Sequence, residues 1–344
     1  MSDVQGLGAD ILRQDLSWAL ACVSGLNEGA SDDGHPLMFV MPQFCRIVYE
    51  GERFLVRQGV PVPFEPRVHE AVVAKGRHTV KLWERRRTDI AETLVALRLA
   101  HNAAFTGSAV RFVRWLAPDL GIFEIGGALL ATTQDLHLRS GHHPEAIGDF
   151  DTFGQAIYES SIETGAAVRV LTEVVGGDLP TVTVRFGPVA IDRRDRFVKD
   201  YYHRRFGREL SVGPKELLAM IEGHINTHRL LVEASCDEDP ALRAGLITAF
   251  HAAASLAQIR DMEKGGTSVE PLRGIMSDPN VKAMRRMKVL RNLCMHYAPQ
   301  GAATSAATFE EAVMALAKCS TEALRGTVHG ALTVMSDGLG SWAR

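Results

Sequence analysis

Apolar residues return every three or four positions in segment after segment of this chain. That period restricts it to helices packed through their apolar stripes. In residues 9–25 the spacing is kept by Ile11, Leu12, Leu16, Leu20 and Val23. Residues 37–58 repeat it with Met38, Phe39, Met41, Phe44, Val48, Phe54 and Leu55. The same pattern predicts helices over 88–105, 153–175, 215–236, 236–263, 281–297 and 308–335. The clearest alternation of a strand lies in Thr181–Ile191, which is rich in β-branched residues, and Pro188 would confine it to a sheet edge or split it. The expected fold is therefore mainly α, one or more helical bundles with a minor β element near residues 181–191.

With 344 residues the chain has room for roughly two domains or one large helical one. Ser211-Val212-Gly213-Pro214 precedes a new helical pattern and marks the expected boundary. Residues 1–210 then form an N-terminal, mostly helical domain, and 211–344 a C-terminal helical bundle. A net charge of −3 means that any nucleic-acid site must be a local basic patch rather than a global field. The cysteines (Cys22, Cys45, Cys236, Cys294 and Cys319) are odd in number and form no C-x-x-C pair. They fit a reducing compartment better than a disulfide framework or a structural zinc site. The first residues show no basic segment leading into an apolar run, and no stretch of about 20 apolar residues could span a bilayer. A cytoplasmic protein without a membrane segment is expected.

Several stretches carry chemistry-bearing side chains with bland alternatives. The basic run Lys75, Arg77, His78, Lys81, Arg85, Arg86 and Arg87 reads first as a solvated helix face, with an anion or RNA patch around Trp83 as the sharper option. Arg98 and His101, on the helix that Thr88 or Asp89 would cap, are three apart and read as a surface pair. Gly121–Gly127 lacks the Lys-Ser/Thr of a phosphate loop and reads as a turn or a closely packed helix. Asp135, His137, His142, His143 and Glu145 are ligand types in a loop-like stretch whose spacing matches no standard metal site. His224 and His228 share a helix face, but Ile225 stands where a zinc protease carries its glutamate. Residues 192–206 interleave arginines with Phe197, Tyr201, Tyr202 and Phe206, a composition that suits either base stacking with phosphate neutralisation or an ion-paired surface helix. No metal or cofactor is expected.

The stretch Met287–Tyr297 stands out. Leu290, Leu293, Cys294 and Tyr297 fall on one helical side at i, i+3, i+4 and i+7. Asn292 and His296 are four apart and share another side, within reach of the long Arg291 side chain. Pro299 and Gly301 end the helix soon after. This Arg-Asn-x-x-x-His-Tyr arrangement resembles the signature of the HEPN superfamily, an Arg, usually followed by a polar residue, and a His four to six positions on. The similarity covers roughly residues 240–340. The resemblance implies a small, often dimeric helical bundle, in many members a metal-independent ribonuclease, and a role in toxin or defence systems. It implies Arg291, Asn292 and His296 as catalytic residues. Lys288, Arg285, Arg286 and Tyr297 would contact an RNA substrate, Tyr297 with a core position as its competing role. A His can serve as base or acid near neutral pH, and an Arg can hold phosphate oxygens and stabilise developing charge. A homodimer would supply a second imidazole for the second proton transfer. The alternatives are a non-catalytic ligand-binding or regulatory module and a small-molecule enzyme of another kind.

Overall fold

Side-chain caps set several of the helix boundaries. Asp278 accepts hydrogen bonds from the backbone amides of Asn280 (2.8 Å) and Val281 (3.2 Å), and Pro279 occupies the first helical position. Thr308 and Ser320 accept from Glu311 and Ala323 in the same way. The computed structural model describes residues 4–29, 35–64, 73, 76, 77, 79, 80, 118–139, 150–185, 190–210, 212–236, 238–262 and 269–342. In chain order its elements are α1 (Leu7–Gly29), α2 (His35–Arg57), β1 (Leu120–Ile125), β2 (Ala128–Thr132), α3 (Thr133–Arg139), α4 (Phe150–Val175), β3 (Asp192–Arg196) and α5 (Val198–Phe206). Then come α6 (Val212–Thr227), which runs on through a π turn at His228–Val232, α7 (Asp239–Met262), α8 (Glu270–Ser277), α9 (Pro279–Arg286), α10 (Lys288–His296), α11 (Phe309–Ala317) and α12 (Thr321–Gly340).

The chain is mainly α with a minor β element, as its periodicity demands. Helix α7 is buried on nearly every side, through Ala244, Leu246, Ile247, Ala249, Ala253 and Leu256, and the neighbouring helices pack around it. Hydrophobic residues from both sides of the expected boundary near 210, such as Leu16, Val48, Leu246 and Leu293, share one core cluster. Two expected helices are each split. Residues 281–297 break at Met287, which lets the stripes of α9 (Val281, Met284) and α10 (Leu290, Leu293, Cys294) both face α7. Residues 308–335 break at Lys318, a left-handed residue with φ 60°, before the Ser320 cap.

The β element lies elsewhere than the alternation of 181–191 predicts. Residues 181–185 are not a strand; the amide of Thr183 donates instead to Glu238 Oε1 (3.1 Å). Of that stretch, 186–189 lie outside the described residues. The sheet has the order β2-β1-β3, antiparallel throughout. Gly126 (φ 56°) and Gly127 (φ 84°) turn the β1–β2 hairpin, the positive φ at both positions that a two-residue turn between twisted strands requires. Gly121–Gly127 is thus neither a plain turn nor a helix. The stretch beginning at Asp135 is helical, and Asp135 and His137 are buried in α3. The helix expected over 88–105, with Arg98, His101 and Asn102, lies outside the described residues. So do His142, His143 and Glu145, and every basic side chain of the 75–87 run except Arg77.

Candidate functional site

Helix α10 ends at His296 because Tyr297 takes a left-handed conformation (φ 57°, ψ 17°) while its amide bonds back to Leu293 O at 2.9 Å. A non-glycine residue is strained there. The side chain explains why it persists. Tyr297 is wholly buried, its hydroxyl donates to Asp15 Oδ2 (3.0 Å), and it accepts from Arg46 Nη1 (3.1 Å). Asp15 also accepts from Arg46 Nη2 (3.0 Å) and from Arg243 Nε (3.0 Å) and Nη2 (2.6 Å). Arg46 Nη1 further reaches the carbonyl of Cys294 (3.2 Å). Burial pushes the Tyr297 phenol well above its ordinary range, so it stays a neutral hydrogen-bonding group. This knot joins α1, α2, α7 and α10. Tyr297 belongs to the core and offers no surface to a substrate.

The knot holds His296 at the edge of α2. Its Nδ1 lies 2.6 Å from Glu50 Oε2, and the imidazole keeps 26% of its side-chain surface while Glu50 keeps 2%. The other carboxylate oxygen of Glu50 accepts two bonds from Arg77, Nε at 2.7 Å and Nη2. Burial by itself would raise the Glu50 carboxyl; the hydrogen bonds and charges of His296 and Arg77 outweigh it and bring the carboxyl down to about 2. Glu50 is therefore ionised at neutral pH. An ionised carboxylate only accepts, so Nδ1 carries a proton and donates to Glu50, and Nε2 is the ring nitrogen left to exchange a proton.

Guanidinium groups surround this dyad. Arg57 Nη2 donates to the His296 carbonyl (3.2 Å), and its Nε donates to Arg53 O (3.0 Å). Arg53 Nη1 donates to the Tyr49 hydroxyl (2.9 Å), and the Arg77 guanidinium lies 4.6 Å from the centre of the Tyr49 ring. Arg53 and Arg57 are exposed at the last turns of α2, the end of a helix that favours cations. An imidazole base oriented by a carboxylate and bordered by exposed guanidiniums is suited to chemistry on a phosphodiester.

Arg291 and His296 do not converge. Five residues separate them, a rotation of about 140° from facing the same way. Arg291 is buried, with its guanidinium carbon 4.5 Å from the centre of the Phe250 ring on α7, whereas His296 faces α2. Asn292 is half-buried. Arg285, Arg286 and Lys288 are exposed around the α9–α10 break, about 12 Å along α10 from His296. His228 is buried and His224 half-buried; His224 Nε2 lies 3.8 Å from Asp135 Oδ1, and burial pushes both imidazoles down, His228 to about 3. Among the described residues no group of three His, Cys, Asp or Glu is placed to hold a metal, and no helix is long and apolar enough to cross a membrane.

Sequence reasoning missed Glu50, Arg53 and Arg57, and it passed over Arg77 as part of a solvated face. One signal was present. Ile47, Glu50 and Phe54 fall on one stripe of α2, so Glu50 is a carboxylate among core positions. Comparison with known proteins finds no matching family model, no matching curated protein and no matching solved structure.

Proposed function

We propose that the protein is a metal-independent endoribonuclease of HEPN-like character whose proton-transfer group is His296. The observation that carries this proposal is the half-exposed imidazole locked onto the buried Glu50 carboxylate at 2.6 Å beside exposed guanidiniums. His296 Nε2 takes the proton of an RNA 2′-hydroxyl. The 2′-oxygen bonds to the adjacent phosphorus, and the bond from phosphorus to the 5′-oxygen breaks, leaving a cyclic phosphate. The new imidazolium is stabilised by Glu50, and charge on the phosphate is met by Arg57 and Arg53 in place of the buried Arg291. The 5′-oxygen takes its proton from the imidazolium of a second copy in a homodimer. Arg285, Arg286 and Lys288 hold the strand at the α9–α10 break. Asn292 and Arg291 act as positioning residues for that helix.

Purified protein incubated with mixed RNA in chelator is expected to release fragments ending in cyclic phosphate. His296→Ala is expected to abolish cleavage and leave the melting temperature within a few degrees of the parent. Cleavage undiminished in that variant, or absent in the parent, rejects the nuclease. The burial of Arg291 against Phe250 favours a second reading, a non-catalytic binding module in which the Arg-Asn…His motif ties α10 to its neighbours. Retention of RNA without cleavage would select it.

A further inference from the structure

Helix α5 spends two of its faces on the core. Val198, Tyr202 and Phe206, at i, i+4 and i+8, are buried. Arg205 stacks on Tyr201 (5.8 Å) and bonds through Nε to Glu222 Oε2 (2.8 Å), a carboxylate from α6. The remaining face borders a pocket of about 490 Å³ lined by Lys199, Asp200, His203, Arg204 and Arg208. Lys199, Arg204 and Arg208 are exposed and form no ion pair among the described residues, so three cations share the pocket with one acid.

A second, independent feature lies beneath it. Lys215, at the start of α6, is wholly buried, and its Nζ lies 2.7 Å from His203 Nδ1. Among the described residues it has no carboxylate partner. An ammonium group has only hydrogens to offer, so Nδ1 must accept. The imidazole proton is then on Nε2, which turns this pocket-lining ring into a neutral donor. A buried cation without a counter-charge is costly, and an anion in the adjoining pocket would offset that cost. Apart from Asp200 and the His203 Nδ1 bonded to Lys215, every polar group here donates, and two of the cations are guanidiniums able to hold an oxyanion through paired hydrogen bonds.

We propose that this pocket is a phosphate-binding site, separate from the His296 dyad, taking the phosphate group of a nucleotide or of an RNA backbone. The test is calorimetric titration of the full-length protein with pyrophosphate at low ionic strength. Saturable one-to-one binding is expected, weakened at least tenfold in the R204Q/R208Q double variant. The R193Q/R194Q variant removes the same charge from the exposed strand β3 and is expected to shift the affinity less than twofold. Lys215→Met, which strips the buried charge while keeping the stem, is expected to weaken binding several-fold. No saturable binding, or equal weakening by the two double variants, overturns the site in favour of diffuse electrostatics. A single-stranded RNA 12-mer run in the His296→Ala background separates the sources. Displacement of pyrophosphate by the RNA supports a backbone phosphate, and its failure with pyrophosphate still bound supports a free nucleotide or phosphate.

Discussion

The dyad His296–Glu50 joins positions 246 apart, which is why no local motif announced it. What was legible was the half of the site on α10: an imidazole beside a helix end, with cations on the turns before it. The placing of Arg291 with His296 failed for a geometric reason, since i and i+5 diverge on a helix while i and i+4 do not. Two outcomes follow for Glu50. Replacing it by Gln keeps the shape but removes the charge that steadies the imidazolium, so RNA cleavage is expected to fall roughly 10²-fold with RNA binding retained, as read by steady-state kinetics and filter binding. The carboxyl is also lowered from 4.5 to about 2 on folding. A depressed acid contributes stability that is complete above its unfolded value and is lost as pH falls through its folded one. Between pH 4.5 and 2 the parent is expected to lose about 3 kcal/mol that the Glu50→Gln variant does not, measured by urea unfolding across that range.

Helices were legible because each carries its stripe through several turns, and α1, α2, α4 and α7 lie within a few residues of their expected spans. The hairpin was not. β1 is buried at its first four positions, Leu120 to Phe123, so it shows no alternation, and β3 is wholly polar. Breaks within α9–α10 and α11–α12 were missed because no proline or glycine marks them. One contact between elements fixes how the candidate site is held. Gly8 of α1 lies so close to the Tyr297 carbonyl that a methyl group there would collide with it and with the Phe54 ring. Gly8→Ala is therefore expected to destabilise the fold by about 1–3 kcal/mol and to displace the end of α10. Lowered melting temperature together with lost RNA cleavage would show it; a neutral result would mean that α1 can move away without disturbing His296.

Across the whole molecule, Asp15 is the point where four helices meet, held in place with Arg46, Arg243 and Tyr297 at 0–1% exposure. No sequence rule pairs residues 228 positions apart, yet their burial is what lets α10 sit against α2. Asp15→Ala would strand two guanidiniums away from water and is expected to cost about 3–5 kcal/mol, seen as a fall in the denaturant midpoint. Asp15→Asn, which can still accept, should cost less. The rim of the small sheet has another consequence. β3 presents Asp192, Arg193, Arg194, Asp195 and Arg196, all exposed, and among the described residues no further strand pairs with its outer side. A parallel, in-register copy would set three arginines against three arginines. Repulsion of that kind keeps such a margin from recruiting other chains, so concentrated protein should remain clear in dilute buffer and begin to self-associate as added salt mutes those charges.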